Sequence, residues 1–317
     1  MKLNADVKGK ANSHTGHKKI TSNELQLYSL LAIPLLLVFV FSYLPMAGIT
    51  IAFKDYKYNS GIFGSEWVGF DNFKFFFESD VFARITWNTL YMNFLFILIG
   101  TIAAILVAVL MFELVSRTAT KTFQTILIMP NFISWVVASY MVFAFLNPQY
   151  GILNSLRSGL GLKTIDWYSE PKYWPVILVI SNVWKTVGIN SVMYYAALMG
   201  IDTAIFEAAK VDGANKVKVF LHIILPMLVP LITILTILSI GNIFRADFGL
   251  FYQIPRNIGL LYSTTDVIDT YIFRTMREVG DMGMSSAVGL LQSFVGFFMV
   301  ILTNYFSKKI NPDNALF

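Results

Sequence analysis

Glu207-Ala208-Ala209-Lys210-Val211-Asp212-Gly213, followed by Ile223-Ile224-Leu225-Pro226, is a polar, glycine-broken stretch wedged between two long apolar runs. A chain that needed only to turn round would use a short loop here. This one keeps residues 200–226 on one side of whatever the apolar runs cross. The stretch reads as two short helices joined by a turn. In the first, Ala204, Ile205, Ala208 and Ala209 share a face. Gly213 breaks the pattern and can supply the positive φ of a sharp turn. In the second, Val217, Phe220, Leu221 and Ile224 follow the i, i+3, i+4, i+7 spacing of an amphipathic helix. Pro226 either closes that piece or opens the next helix, where its missing N–H costs least. A compact, part-charged helix pair on a membrane surface suits docking to a soluble partner.

Composition supports a membrane setting. Hydrophobic residues make up 56% of the 317 and charged residues 14%, against about 45–50% and about 25% in soluble domains. Mean hydropathy is +0.62. A bilayer core needs about 20 apolar residues per helix. Six runs qualify: Leu27–Ile49, Leu90–Phe112, Phe123–Leu146, Tyr173–Met199, Ile224–Phe244 and Ser286–Tyr305. The first has no cleavage-like site of small residues and reads as a retained helix, not a removed leader. The expected fold class is therefore all-α, a polytopic membrane protein with six transmembrane helices and a polar helix-turn-helix loop between the fourth and fifth. Residues 1–26 form a polar tail, predicted to be disordered, and 27–317 the membrane domain.

Several chemistries are excluded at once. With no cysteine, the chain has no disulfide framework, thiolate metal site or cysteine nucleophile. His14 and His17 sit in the polar tail with no third ligand nearby, so they read as solvated rather than as a metal site. There is no Gly-x-x-x-x-Gly-Lys-Ser/Thr phosphate loop, no His-Glu-x-x-His and no Gly-x-Ser-x-Gly. The chain is not expected to be an enzyme or to hold a cofactor.

Orientation follows from Lys and Arg. The tail carries Lys2, Lys8, Lys10, Lys18 and Lys19. Arg117 and Lys121 follow the second run, Lys210, Lys216 and Lys218 lie in the 200–226 loop, and Lys308 and Lys309 end the sixth run. If the runs alternate, all of these fall on one side. The other side's basic residues lie in longer loops and are balanced by Asp55, Glu66, Asp71, Glu78 and Asp80. The positive-inside rule weights short, helix-flanking segments, so both termini and the loop are placed in the cytoplasm. The outer segments are 50–88, 147–172 and 245–285, each long enough for a short helix; in the first, Asp71 to Ile85 reads as a helix with an Asp cap. Its many aromatics, among them Phe53, Trp67, Phe70 and Phe73, suit interfacial anchoring or a docking surface for an external protein.

The loop pattern also carries a resemblance. Glu-Ala-Ala, three residues, Gly, nine residues, Ile, one residue and Leu-Pro is similar to the coupling-loop signature of permease subunits of binding-protein-dependent ABC importers. Asn182-Val183-Trp184-Lys185 and Trp67-Val68-Gly69-Phe70-Asp71-Asn72-Phe73 resemble phrases of the carbohydrate branch. Thr265-Asp266-Val267-Ile268-Asp269-Thr270-Tyr271 and Gly289-Leu290-Leu291-Gln292-Ser293 resemble the branch that imports complex oligosaccharides. The resemblance covers roughly residues 25 to 317. It implies half of a translocation path in a bacterial plasma membrane, a second homologous permease, two ATP-binding cassette subunits that hold ATP and Mg²⁺, an extracellular solute-binding protein and an oligosaccharide cargo. Its coupling residues would be Glu207, Ala208, Ala209, Asp212, Gly213, Ile223, Leu225 and Pro226. The alternatives are the same importer class with a non-sugar cargo, or a secondary transporter; the latter lacks support because the six runs contain almost no acids.

Polar groups inside apolar runs are costly in lipid and usually face a cavity or a neighbouring helix. The fourth run holds Asn182, Trp184, Lys185, Thr186, Asn190 and Ser191. Lys185 either snorkels to the outer interface or lines a passage in which hydroxyls find partners and sugar C–H faces meet rings. In the resembling maltose-type permeases, sugar contacts come from this segment and the next helix. By matching positions this implies Asn182, Lys185, Thr186, Ser239 and Arg245, with Asn131 a further candidate. Arg245 has a second reading, an ion pair with Asp247. Lys185 and Arg245 would suit an acidic sugar.

Overall fold

The computed structural model describes residues 22–310 apart from Val115, with the side chains of 22–25, Phe75, Phe76 and Ile310 left aside. Residues 1–21 of the predicted disordered tail, with its lysines, His14 and His17, therefore lie outside the described residues, whereas its last residues, 22–26, are helical.

The described residues divide into two units at Gly48/Ile49. The first is a single apolar helix, Ser22–Val38, which carries Pro34 and widens into a π turn at Phe39–Tyr43. A tight 3-10 run, Leu44–Phe53, completes a span of Gln26–Phe53. The second unit holds the remaining spans: Asp80–Phe112, Pro171–Met199, Lys216–Gly241 and Met282–Lys309, plus a broken one. The broken span is Arg117–Phe132 followed by Trp135–Leu146, bent by 99°. Counted as one crossing, it completes six.

The sequence reads Phe123–Leu146 as one continuous run, but Pro130 and the extended residues Ile133 and Ser134 interrupt it. Ser134 then caps the next helix through its hydroxyl, which accepts from Val137 N at 3.3 Å. The helix expected at Asp71–Ile85 is likewise split. It ends at Glu78, and extended Ser79 leads into the long helix from Asp80. Asp71 lies inside its first turn, not at the cap, and pairs with Lys74 at 2.8 Å.

Lipid tails are as apolar as Leu, so helix association in a bilayer rests on close packing and hydrogen bonds rather than on water release. Both are evident between the second and fourth spans. Towards the cytoplasm, buried Ala104 and Ala108 meet Tyr194 and Leu198, with Ile224 and Leu228 of the fifth span closing the cluster. Towards the outside, Met92 meets Trp174 and Leu178, together with Leu250, Phe251, Ile254 and Val267 of the outer loop.

The outer loop is fixed by buried polar groups. Asp266 is 1% exposed. Its carboxylate accepts from Arg274 at 2.8 Å and from Thr270 at 3.0 Å, with Arg84 at 3.5 Å. Asn88 donates to the Asp266 carbonyl, and the Thr89 hydroxyl accepts from Ile268 N. A buried charge satisfied this fully is tolerable; the same charge without partners is not. Three residues on, Asp269 accepts from Ala246 N at 2.8 Å and from Gln292 at 3.0 Å. Burial pushes the Asp269 carboxyl above its usual range, opposed by those donors and by the Arg245 charge. The two phrases around Asp266 and Gln292 thus meet in space as a clamp on the loop.

The Trp67–Phe73 phrase forms a ring cluster on Phe53, whose centroid is 5.5 Å from those of Trp67, Phe70 and Phe73. A two-residue antiparallel pairing, Lys54 with Trp67 and Asp55 with Glu66, supports it. Asn72 ties it down by donating to the Ala52 and Lys54 carbonyls.

Candidate functional site

Between the two apolar clusters lies a cavity of about 470 Å³ whose lining mixes polar and apolar side chains. The second span contributes Asn93, Phe96 and Thr101; the fourth Asn182, Thr186, Asn190 and Tyr194; the fifth Ser239; and the turn beyond it Asn242 and Arg245. Gly100 also faces it, and no atom comes within 4 Å of where its Cβ would be. Asn93 holds the far wall by donating to the Ile243 carbonyl at 2.8 Å and the Arg245 carbonyl at 3.1 Å. With Asp269 on Ala246 N, this fixes the backbone on both sides of the Arg245 side chain.

Four sequence-predicted residues, Asn182, Thr186, Ser239 and Arg245, come together here. Two do not. Asn131 and Lys185 are absent from the lining. The Lys185 ammonium instead donates to the carbonyls of Pro130 at 3.5 Å, Asn131 at 3.2 Å and Ile133, and lies 5.0 Å from the Trp135 ring centre. A helix end leaves carbonyls without intrahelical partners, and in a bilayer no water replaces them. Lys185 fills that role at the break in the third span. Asp247 does not pair with Arg245; its carboxylate accepts from Trp135 Nε1 at 2.7 Å. Asn93, Thr101 and Asn242 were missed. The signal was the one used for the fourth run, a polar side chain within an apolar run, and it applies equally to the second and fifth.

Lys185→Met keeps the length of the stem and removes the donors. It is expected to lower stability by about 1–3 kcal/mol through unsatisfied carbonyls, while leaving cargo affinity within about twofold of wild type, since twofold is a small fraction of the 1.4 kcal/mol that a tenfold change requires. Thermal melting and cargo binding on the purified complex check the pair of outcomes.

On the cytoplasmic side, Asp202 caps the helix Thr203–Val211 by accepting from Ala204 N at 2.9 Å. Gly213 has φ +72°, and Asn215 caps the following turn by accepting from Lys218 N. The piece after the turn is not a separate helix. Lys216–Val219 runs through a π turn, Phe220–Ile224, into Leu225–Gly241, so Pro226 lies in the first turn of that helix instead of closing the one before. Val219, Phe220 and Ile224 pack inward, whereas Val217 and Leu221, expected on that face, are exposed.

The first helix also divides differently from the sequence reading. Ala209 is buried, and Phe206 packs on Phe112 at 5.3 Å between ring centres. Ala204, Glu207, Ala208 and Val211 form the exposed stripe, with Asp212 and Gly213 exposed beyond it. Lys216 pairs with Glu113 at the cytoplasmic end of the second span. Ile223 and Leu225 are half-buried where the loop enters the fifth span.

Six apolar crossings, a part-polar cavity and a cytoplasmic elbow packed on two spans define a multi-pass membrane permease. Residues 96–312 match the family described as the inner membrane component of binding-protein-dependent transport systems, and the chain belongs to it. It is 34% identical over 287 residues to Protein LplB of Bacillus subtilis (strain 168), covering 90% of each chain. It is 32% identical over 279 residues to the polygalacturonan/rhamnogalacturonan transport system permease protein YteP of the same organism, covering 86% of this chain and 85% of that one. The fold matches the crystal structure of a bacterial ABC transporter involved in import of the acidic polysaccharide alginate, with a TM-score of 0.82 and 33% identity over 91% of this chain and 97% of that one. The structure of a bacterial alginate ABC transporter with an alginate pentasaccharide-bound periplasmic protein matches at 0.80, again with 33% identity, over 91% and 96%. The protein is thus a transport subunit of the plasma membrane and not an enzyme; ATP hydrolysis lies in separate subunits.

Proposed function

We propose that the cavity is this subunit's half of an oligosaccharide pathway and that the cargo carries negative charge. The carrying observation is Arg245. Arg245 lines the cavity, and its guanidinium has no hydrogen-bonded or ion-paired acceptor among the described residues, although its charge acts on the buried Asp269 carboxyl. Around it, Asn182, Asn190 and Asn242 offer both donors and acceptors for hydroxyls, Asn93 offers its side-chain oxygen as an acceptor, and Phe96 and Tyr194 offer ring faces for sugar C–H surfaces. An unpaired guanidinium in a part-polar, partly enclosed space suits a carboxylate, which it can take with two parallel hydrogen bonds. The matched ABC transporter structure is of an importer of an acidic polysaccharide, alginate.

The exposed stripe Ala204, Glu207, Ala208 and Val211 would be the face that an ATPase subunit grips. Force applied there reaches the second span through Phe206 on Phe112 and the fifth through the continuous run from Lys216. Closure of the ATPases would then move these spans together, switching the cavity between outward and inward access. A second permease completes the passage, and a binding protein delivers the cargo. In this reading the chain carries no cofactor, and ATP and Mg²⁺ belong to the ATPase partners.

Among the described residues, no group of three or more His, Asp or Glu could hold a metal.

Substrate-stimulated ATPase activity of the reconstituted complete importer tests the charge reading. Acidic oligosaccharides should stimulate it, and Arg245→Gln should weaken that response about tenfold, the size of one charge-assisted contact. Equal stimulation by neutral and acidic sugars, or an unchanged Arg245→Gln response, would count against it.

A further inference from the structure

A second polar pocket, of about 230 Å³, lies in the outer region and shares no lining residue with the cavity. It is formed by Val136, Ser139 and Tyr140 of the outer half of the broken span and by Tyr252, Gln253, Arg256 and Asn257 of the outer loop. Arg256 and Asn257 have φ of +58° and +51°, the only non-glycine residues with positive φ among the described ones. Asn tolerates the left-handed region; Arg does so at a steric cost. Strain of this kind persists only where the surroundings impose it, and it concentrates at binding sites.

Here the surroundings are visible. Arg256 N donates to the Gln253 carbonyl and Asn257 N to the Tyr252 carbonyl, closing the end of the helix Phe248–Gln253. The Asn257 amide donates to Glu278 at 3.0 Å and accepts from the Tyr262 hydroxyl at 2.8 Å. The pinned turn sets the Arg256 guanidinium 4.4 Å from the Phe143 ring centre and 5.6 Å from that of Tyr140. Its charge also acts on buried Tyr168, whose phenol desolvation pushes up to about 12 and whose hydroxyl has no partner among the described residues.

Stacking occupies a face of the guanidinium and leaves its N–H edge free. No acceptor among the described residues takes that edge, and Arg256 is exposed. The hydroxyls of Tyr140 and Tyr252 and the Gln253 amide are also without protein partners among the described residues. The pocket therefore combines an in-plane cationic fork, ring surfaces and neutral hydrogen-bonding groups, with room for a single pyranose ring.

We infer that this pocket is an outer subsite that holds one carboxylate-bearing sugar ring of the cargo, with the Arg256 guanidinium taking the carboxylate and Tyr140 and Tyr252 contacting the ring. The inference rests on the acidic-cargo reading of the cavity but concerns different residues. A carboxylate on the binding protein offers the same charge. The concave, ring-lined shape favours a sugar, and the test separates the two.

Binding is read directly on the detergent-solubilised complete importer, without binding protein. The probes are a trigalacturonate and its carboxyl-reduced counterpart. Arg256→Gln should weaken trigalacturonate binding about tenfold and leave the reduced probe unchanged. Arg256→Lys should recover part of the loss. Arg245→Gln should show a separate loss, and the double variant should lose all preference for the acid. Equal losses on both probes, or no loss, would overturn the outer subsite. So would a variant that binds trigalacturonate normally but loses affinity for the binding protein, since that marks a protein-docking residue. Sensitivity of Arg245→Gln alone would sink the outer subsite and leave the cavity reading intact. A wild type indifferent to charge would sink both. ATPase co-purification verifies assembly, and should Arg256→Gln fail to assemble, exposed Tyr140→Ala, which removes a ring contact and not the charge, is expected to weaken both probes together; no loss on either would overturn the subsite.

Discussion

Val211→Glu is expected to strip the ATPase subunits from the complex while the chain still inserts. Val211 is 87% exposed at the end of the helix Thr203–Val211, so the substitution disturbs no packing in this subunit. In the assembled importer, the same apolar side chain would be desolvated against the ATPase together with Ala204 and Ala208. A charge forced into such a contact has no partner. Interface residues of this kind cost about 2 kcal/mol or more when disrupted, about a thirtyfold loss of affinity. Glu207→Lys should act similarly through charge reversal on the same stripe, and Gly213→Val by strain at φ +72°. Co-purification of the ATPases with tagged permease, alongside membrane insertion, is the measurement. Full retention of the ATPases on all three variants would remove the docking assignment.

Gly188→Ala should be the most damaging single methyl in the membrane domain. A Cβ at Gly188 would sit 1.9 Å from the Leu127 carbonyl oxygen and 2.3 Å from its carbon, both backbone atoms that cannot swing away. The fourth span would have to move off the broken third span. Lys185, less than one turn earlier, would be pulled from the carbonyls it satisfies. The expected loss is about 3 kcal/mol, the upper end of overpacking costs. The control is Gly296→Ala, where no atom lies within 4 Å of the new methyl; it should change stability by less than about 0.5 kcal/mol. Thermal melting of the two purified variants decides. Equal melting temperatures would mean that the two spans do not depend on this close approach.

Much of the cavity was visible in the sequence because polar side chains are conspicuous in lipid-length apolar runs. Asn182 and Thr186 stood out for that reason, Ser239 and Arg245 only through the resemblance to maltose-type permeases, and the four meet in one space. Lys185 stood out for the same reason but turned elsewhere. Charge says only that a group needs partners; it does not say whether cargo or backbone supplies them. The partner here is a helix break, and the break was concealed because Pro130 is equally compatible with an intact membrane helix. The coupling elbow shows the same division. Gly213 declares a bent helical segment in the sequence, and the structure adds the caps Asp202 and Asn215. Which face looks outward depends on where Phe112 sits; periodicity grouped Ala209 with Ala204 and Ala208, whereas the structure buries Ala209 and exposes the other two.

The sequence by itself determined that this chain crosses a membrane in six apolar passages, which ends face the cytoplasm, and where its polar elbow lies. Run length, hydropathy and the placement of Lys and Arg are local properties that the bilayer acts on directly. Only the tertiary structure decided which intramembrane polar groups face empty space and which are consumed as structural partners. That depends on distances between spans far apart in the chain, from Asn93 to Arg245 and from Lys185 to Ile133. In a medium without water each such group must find a partner, and packing, not composition, settles which one it reaches.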